Sequence, residues 1–271
     1  MESNFCKELS EIAIHAAYES GKAILKIYNA TNLNIKLKAD NSPVTAADMA
    51  SQSIISAFLK STGISIISEE ENIPDFNERK SWSLCWIVDP LDGTKEFIKK
   101  NGQFTINIAL IENGIPIMGV VYAPIPCQMY ISEPGIAYKI EKFNQNDEFA
   151  HIKNSLYDIR KILPQNPGRN NFIVLASKSH QNPETTGYIE KLKTEHRNIE
   201  ILSVGSSLKF CMIAEGKADL YPRFSTIMEW DTAAGHAILD AAGGRVFNPE
   251  TGLSLTYNKE NLLNPWFIAS K

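Results

Sequence analysis

The sequence predicts a mixed fold of helices and strands. Three observations point to it: apolar residues at helical spacing near the N-terminus, apolar runs of strand length after them, and strand ends that stop at carboxylates. The sharpest of those ends is Trp86-Ile87-Val88-Asp89-Pro90-Leu91-Asp92-Gly93-Thr94. The apolar run Leu84–Val88 reads as a buried strand. Pro90 fixes φ and Gly93 permits a tight reversal, so the strand end should turn Asp89 and Asp92 into one space. Like charges held close resist ionisation unless a cation lies between them. Hard oxygen ligands of this kind suit Mg²⁺. Thr94 follows with a hydroxyl placed to hold or polarise a water. An Asp-Pro turn beside an Asp-Gly turn would give the same letters with no chemistry.

The remaining elements follow in order. Phe5, Leu9, Ile12, Ala16, Ala23, Leu25 and Ile27 show loose helical periodicity from residue 4 to about residue 30, with a bend expected at Gly21. Leu33, Ile35 and Leu37 alternate as a short strand. A turn then feeds a helix capped by Ser42 or Thr45 and running through Ile54, Ile55 and Phe58 to Gly63. Asp48 falls in its first turn, where a surface acid would complement the dipole. Ile64–Ile67 is a strand, and Glu69 emerges at its end as Asp89 does. Ligand groups in α/β folds gather at such ends, although a solvated acidic loop reads the same. Phe104–Ile111 and Ile115–Tyr122 form a hairpin through Asn113-Gly114. Met129–Ser132 extends the sheet, and Glu133-Pro134-Gly135 turns it.

Residues 141 to 170 are polar and hold the weak domain boundary, dividing the chain into 1–150 and 151–271. Beyond it, Phe172–Ala176 is a strand ending at Ser177-Lys178-Ser179-His180, and Pro183–Lys193 is a helix. Ile199–Val204 is a strand, and Gly205-Ser206-Ser207 opens a helix to Gly216. Backbone N–H groups there, with Ser206, Ser207 and Lys209, can receive a phosphate, or the serines can simply cap. Ala218–Tyr221 is a strand followed by Pro222-Arg223. Asp231 heads a helix of small residues that ends near Gly243-Gly244, either as an N-cap or as a ligand. His236 has no second histidine on its face and is expected to serve packing or a hydrogen bond.

Composition sets the outer limits. The chain has 271 residues, 44% hydrophobic and 21% charged, an ordinary globular balance with ample core. A net charge of −4 leaves no basic stripe for a nucleic-acid polymer. Cys6, Cys85, Cys127 and Cys211 have neither CxxC nor zinc spacing and read as reduced thiols. The N-terminus does not read as a signal peptide, and no apolar run approaches the ~20 residues of a membrane span. The expected location is the cytoplasm. Peripheral association with the cytoplasmic face of the inner membrane stays open, with no basic amphipathic segment to demand it.

Asp48, Glu69, Asp89, Asp92 and Asp231 each have a bland explanation alone. Together with their local sequences they resemble the inositol monophosphatase-like superfamily of Mg²⁺-dependent, often lithium-sensitive phosphatases. The matching stretches are Asp40 to Asp48, Glu69-Glu70, Asp89 to Thr94 and Trp230 to Gly235, in the family's order. Lys95-Glu96-Phe97, Asn101 to Ala109 and Glu229 to His236 are similar to its branch of bacterial 3′(2′),5′-bisphosphate nucleotidases. Inositol monophosphatases usually carry Thr-Asn-Phe where this chain has Lys95-Glu96-Phe97, which argues against a plain inositol phosphatase.

The resemblance implies a layered α/β/α/β/α sugar-phosphatase fold of the α+β kind. Its N-terminal half would carry most metal ligands, and its C-terminal half Asp231 and substrate contacts. It implies hydrolysis of adenosine 3′,5′-bisphosphate to AMP and phosphate, with 3′-phosphoadenylyl sulfate as a second substrate, clearing a by-product of sulfate activation. Glu69, Asp89, the Leu91 carbonyl, Asp92 and Asp231 would hold two or three Mg²⁺, while Thr94 paired with Asp48 would orient the attacking water, Glu69 also serving catalysis. Glu69, Leu91, Asp92, Gly93, Thr94 and Asp231 would line the substrate. Ser177, His180, Ser206, Lys209 and Arg223 would meet the base, ribose or 5′-phosphate. The chain would act as a monomer or homodimer. The runner-up is an inositol or fructose phosphatase, and a non-enzymatic alternative is a nucleotide or Mg²⁺ sensor. A haloacid-dehalogenase-type site separates its two aspartates by one residue, whereas two separate Asp89 and Asp92.

Overall fold

The structure is a computed structural model that describes residues 3–30, 36–37, 43–141, 143, 147–149, 160–161, 170–176, 182–196 and 198–271. The predicted strand residues Leu33 and Ile35, the candidate cap Ser42 and the motif residue Asp40 lie outside these. So do most of the proposed domain boundary and Ser177 to His180.

Two sheets organise the chain. A seven-stranded sheet runs β3 (Ser65–Ser68), β4 (Leu84–Asp92), β5 (Thr105–Glu112), β6 (Ile115–Ala123), β7 (Gln128–Glu133), β8 (Ile136–Glu141) and β9 (Arg160–Lys161) in spatial order. Only β3 and β4 are parallel; the later neighbours are antiparallel. A five-stranded sheet has the order β11 (Ile199–Ser203), β10 (Phe172–Ala176), β12 (Leu220–Arg223), β14 (Phe267–Ser270) and β13 (Arg245–Phe247). Its β11, β10 and β12 are parallel, and β14 pairs antiparallel with β12 and β13. A small ladder joins β1 (Lys36–Leu37) to β2 (Pro43–Val44).

Alternation along β4 and β5 assigns the two faces of the larger sheet. Trp86, Val88, Ile106, Ile108 and Leu110 face helices α1 (Ser3–Tyr28) and α2 (Ala46–Lys60), packing with Leu9, Ala13, Ile55 and Leu59. Cys85, Ile87, Ala109 and Ile111 face the opposite way. There they meet α6 (Leu208–Ala214) and α7 (Ala233–Ala241) through Phe210, Ile213, Ile238 and Leu239. The far side of those helices packs on Leu175, Tyr221 and Phe267 of the second sheet. The outer face of that sheet is covered by α5 (Pro183–Glu195), with Ile189 and Leu192 against Val174, Leu220 and Ile268. The order of layers is therefore helix, sheet, helix, sheet, helix, as the resemblance implies.

Several local expectations are met, and some are corrected. The Asn113-Gly114 hairpin has φ of 50° and 79° at its two central residues, the left-handed pair that a two-residue turn needs. Thr45 caps α2: its hydroxyl accepts from Ala47 N at 3.1 Å, and Asp48 accepts from Thr45 N at 2.7 Å. Helix α1 runs unbroken through Gly21. The glycine is needed because the Tyr122 ring occupies the space of a Cβ, at 2.2 Å. The predicted helix at Asp231 is a 3₁₀ turn, Glu229–Asp231, followed by α7. Sequence patterning does not anticipate α3 (Phe76–Arg79), α4 (Thr94–Ile98), β13 or β14. His236 is buried and lies 2.9 Å from the Tyr257 hydroxyl, a structural contact as expected.

The middle helical layer approaches the larger sheet at Gly119, where a Cβ would lie 2.4 Å from the Ala234 carbonyl oxygen. Gly119→Ala should destabilise the fold by about 1–3 kcal/mol, the usual cost of overpacking. Urea denaturation measures it, and an unchanged midpoint would show that the layer yields freely.

Candidate active site

The acidic site begins with an irregularity in β4. Its register against β5 pairs Ile87 with Ala109, Val88 with Ile108 and Asp89 with Asn107, then resumes at Asp92 with Thr105. Three steps on β4 span two on β5, so one residue is extra, a β-bulge. Strict alternation would send Asp89 and Asp92 to opposite faces. The bulge at Pro90-Leu91 returns Asp92 to the face of Asp89, the face of Cys85 and Ile87 that looks onto the middle helices. Pro90 has no N–H to contribute to the ladder, which suits it to this position. Leu91 N donates to Asp89 Oδ1 at 2.9 Å, and Ser51 Oγ of α2 donates to the Pro90 carbonyl at 2.7 Å. Gly93, with φ of 96°, then turns the chain into α4. A side chain there would be strained by that backbone and crowded by the Gln103 carbonyl at 3.1 Å.

The third carboxylate comes from the second half of the chain. Asp231 ends the 3₁₀ turn and accepts from Met228 N at 2.9 Å. One oxygen each from Asp89, Asp92 and Asp231 fall within 4.8 Å of one another. Ser207, the cap of α6, joins the halves. Its N–H donates to Asp92 Oδ2 at 2.7 Å. Its hydroxyl lies 3.0 Å from the same oxygen and 2.9 Å from the Asp231 carbonyl, sharing one proton between two acceptors. Asn107 donates through Nδ2 to both Ser207 Oγ (2.9 Å) and Asp92 Oδ2 (3.2 Å), while Thr105 donates to Asn107 Oδ1 at 2.9 Å.

Glu69 follows the last residue of β3, half-buried, with its N–H donating to the Val88 carbonyl at 3.2 Å. Its charge raises the pKa of both Asp89 and Asp231. Asp48 is buried, not the surface acid of the bland reading. Its Oδ2 accepts from the Thr45 backbone and hydroxyl, and its Oδ1 accepts from Thr94 Oγ1 at 3.1 Å. Burial raises the Asp48 pKa, and the bonds from Thr45 and Thr94 pull it back in part. Thr94 Oγ1 also lies 3.4 Å from the Leu91 carbonyl.

The electrostatics of this cluster oppose ionisation of its carboxyls and would favour a cation among them. Burial first, then the charges of Glu69, Asp92 and Asp231, hold the Asp89 carboxyl well above the ordinary range. Asp231 is pushed up to about 8 by burial, then by Asp92 and Glu69. Asp89 Oδ2 is buried with no hydrogen-bond partner. A buried, partnerless carboxylate oxygen facing two more carboxylates is costly unless a cation accepts it. The donor set is all oxygen, which fits a hard divalent ion.

The predicted substrate contacts divide. Ser206 adopts φ of 51°, and its buried hydroxyl has no partner; Arg223 Nε is likewise buried and unpartnered. Arg223 also donates through Nη2 to the Thr226 carbonyl at 3.3 Å. Lys209 is buried, donates to the Ser206 and Val204 carbonyls at 2.7 and 3.2 Å, and sits 5.1 Å above the Tyr221 ring. Burial lowers its pKa to about 8. Lys209 thus braces the loop before α6, close to Asp92 and Arg223. Ser177 and His180 lie outside the described residues.

Sequence reasoning gave no role in the acidic site to Ser207, Asn107, Thr105, Ser51 or Gln103, whose Oε1 accepts from Gly205 N at 3.1 Å. A signal existed for two of them. In β5, Thr105 and Asn107 share the face of Ala109 and Ile111, so two polar residues stand where the pattern calls for apolar ones. Ser207 carried no signal beyond its position at a helix start.

Comparison with known proteins gives the family and the fold. The model of the family described as "Inositol monophosphatase family" matches residues 6–266. The 3′(2′),5′-bisphosphate nucleotidase CysQ of Escherichia coli K12 is 44% identical over 258 residues, covering 94% of this chain and 96% of that protein. The crystal structure of CysQ from Bacteroides thetaiotaomicron superposes with a TM-score of 0.88 at 47% identity, covering 97% of each chain. The suhB protein of Bartonella henselae shares the fold at a TM-score of 0.72 and 24% identity, covering 97% of this chain and 93% of that one.

The raised carboxyl pKa values give a sign to the pH dependence of the metal-free protein. Asp231 binds its proton in the folded state up to about pH 8 but ionises near 3.8 when unfolded. The folded state therefore holds more protons between those limits, and stability falls as pH rises through them. In EDTA, Tm should drop from pH 5 to pH 8, and added Mg²⁺ should flatten or reverse the slope. Thermal melts across that range check it; a slope indifferent to Mg²⁺ would contradict an ion among these carboxylates.

Proposed function

The chain belongs to the inositol monophosphatase family, and on that premise we propose that it removes the 3′-phosphate of adenosine 3′,5′-bisphosphate, giving AMP and phosphate. The observation that carries the chemistry is the buried, unpartnered Asp89 oxygen among the carboxylates of Asp92 and Asp231. The substrate follows from relatives named bisphosphate nucleotidases at 44% identity over 94% of the chain. The departure at Lys95-Glu96-Phe97 supports the same branch.

In this reading Glu69, Asp89, the Leu91 carbonyl, Asp92 and Asp231 hold two or three Mg²⁺. When bound, the ions neutralise the phosphate and the leaving oxygen and lower the pKa of water. The protein supplies orientation and a proton acceptor. Thr94 Oγ1 gives its proton to Asp48 Oδ1, so its lone pairs are turned outward to take a proton from water. Asp48, with its pKa raised by burial, is a stronger base than a solvated aspartate. Water would then attack phosphorus in line as the bond to the 3′-oxygen breaks, that oxygen taking its proton from solvent to give the 3′-hydroxyl of AMP, with no phosphoenzyme.

Ser206, Lys209 and Arg223 form the far wall in this reading. The unpartnered Ser206 hydroxyl and Arg223 Nε support a polar partner supplied by the nucleotide, and Arg suits a phosphate because its planar fork donates twice. Ser177 and His180 remain candidates for the base or ribose. 3′-Phosphoadenylyl sulfate carries the same 3′-phosphate and is a second candidate substrate. Among the described residues no helix is long and apolar enough to cross a membrane.

Phosphate release from adenosine 3′,5′-bisphosphate and from inositol 1-phosphate, measured side by side, tests the reading. The nucleotide should be preferred, EDTA should abolish turnover, Mg²⁺ should restore it and Li⁺ should inhibit it. Preference for the inositol ester would overturn the substrate while keeping the fold. Thr94→Ala should lower kcat by about 10²-fold or more with little change in substrate affinity. A change confined to KM would remove Thr94 from water activation.

A further inference from the structure

Helix α2 carries a buried polar stripe that the reaction scheme uses only at one end. Asp48, Ser51, Gln52 and Ser56 lie on its sheet-facing side and are at most 6% exposed. The spacing of three, four and eight residues from Asp48 keeps them on one face of the helix. Apolar residues would pack that face more simply, so the partners of these four are informative. Asp48 reaches Thr94, and Ser51 reaches the Pro90 carbonyl in the bulge. Gln52 and Ser56 reach the turn after β3.

The contacts at that turn form a directed chain. Ser68 Oγ donates to Gln52 Oε1 at 2.5 Å, Gln52 Nε2 donates to Ser56 Oγ at 2.7 Å, and Ser56 Oγ donates to Glu71 Oε1 at 2.6 Å. The orientation of the amide follows from chemistry. A carboxylate only accepts, so Ser56 must give Glu71 its single proton and take one from Gln52. The Gln52 nitrogen therefore faces Ser56, and its oxygen is left for Ser68. Glu71 N closes the ring by donating to the Ser68 carbonyl at 3.4 Å. Glu69 and Glu70 stand inside this ring. Bonds aligned head to tail in a buried setting reinforce one another.

We propose that Gln52 is a positioning residue for the metal site, holding the 68–71 turn so that Glu69 is presented to the ion beside Asp89. The inference rests on the metal reading above. Gln52 touches neither ion nor substrate; it acts through Ser68 and Ser56. Leucine at position 52 fills a similar volume but leaves both hydroxyls without their partner. Glutamate is nearly isosteric but offers Ser56 no donor.

Isothermal titration of the metal-free protein with Mg²⁺, without substrate, is the test. Gln52→Leu and Gln52→Glu should each weaken Mg²⁺ binding by about tenfold, the scale seen when hydrogen bonds that orient metal ligands are removed. Thr62→Val is the stability control. It deletes the bond from Trp86 Nε1 to Thr62 Oγ1 at 3.1 Å, together with the bonds of that hydroxyl to the Leu59 carbonyl and from Ile64 N, without touching the 68–71 turn. It should lower Tm while leaving Mg²⁺ affinity intact. If the Gln52 variants do not fold, Ser56→Ala breaks the same chain nearer Glu71 and should show the same loss. Wild-type Mg²⁺ affinity in the folded Gln52 variants, or an equal loss in Thr62→Val, overturns the inference. Failure of the unmodified protein to bind Mg²⁺ would instead overturn the metal reading.

Discussion

A single extra residue in β4 is the constraint on which the site depends. Without the bulge at Pro90-Leu91, the pleat would turn Asp89 and Asp92 to opposite faces of the sheet. With it, both face the middle helical layer, where Asp231 arrives from the other half of the chain. The bulge is fixed from three sides: by Leu91 N on Asp89, by Ser51 on the Pro90 carbonyl, and by Gly93 turning into the helix that bears Thr94. Thr94 and the two carboxylates are therefore set by one stretch of backbone.

Holding these groups together opposes their charges. Asp89 and Asp231 both have raised pKa values, burial being the largest cause. The surrounding fold over-determines the arrangement. Asn107 and Ser207 saturate one oxygen of Asp92 with donors, and Met228 N holds Asp231. The adjacent Glu229 is fully buried and accepts from the backbone of Asn258 and from Lys259 through its N–H and its ammonium. Arg79 in turn binds the carbonyls of Lys259 and Glu260. A chain of polar contacts thus runs from α3 through the 258–260 loop to the turn that presents Asp231. Strain of this kind at a site is tolerable only where the scaffold supplies compensating contacts.

The two halves of the chain contribute differently. The larger sheet supplies Glu69, Asp89, Asp92 and Thr94 from strand ends and what directly follows them, and α2 supplies Asp48 from its first turn. The second half brings Asp231 and Ser207 through the helical layer sandwiched between the sheets. Gly205 permits the approach, since a Cβ there would lie 2.8 Å from the Gln103 carbonyl. Ser206 and Lys209 follow directly on that close contact, while Arg223 comes separately from the end of β12.

The sequence by itself determined most of the longer helices and strands, the Asn113-Gly114 hairpin, Thr45 as one of two candidate caps of α2, and the carboxylates at strand ends. These are local properties, written in periodicity, turn chemistry and abrupt changes of polarity. Resemblance of short motifs added the layer order. Only the tertiary structure decided which groups share a space. The bulge register depends on the partner strand, so Asp92 could be assigned a face only once β5 lay beside β4. Gly21 reads as a bend until the Tyr122 ring is seen to fill its side. Ser207 is an unremarkable helix cap in sequence and a bridge between two acidic segments in space, because Asp92 and Asp231 approach it only after the layers stack.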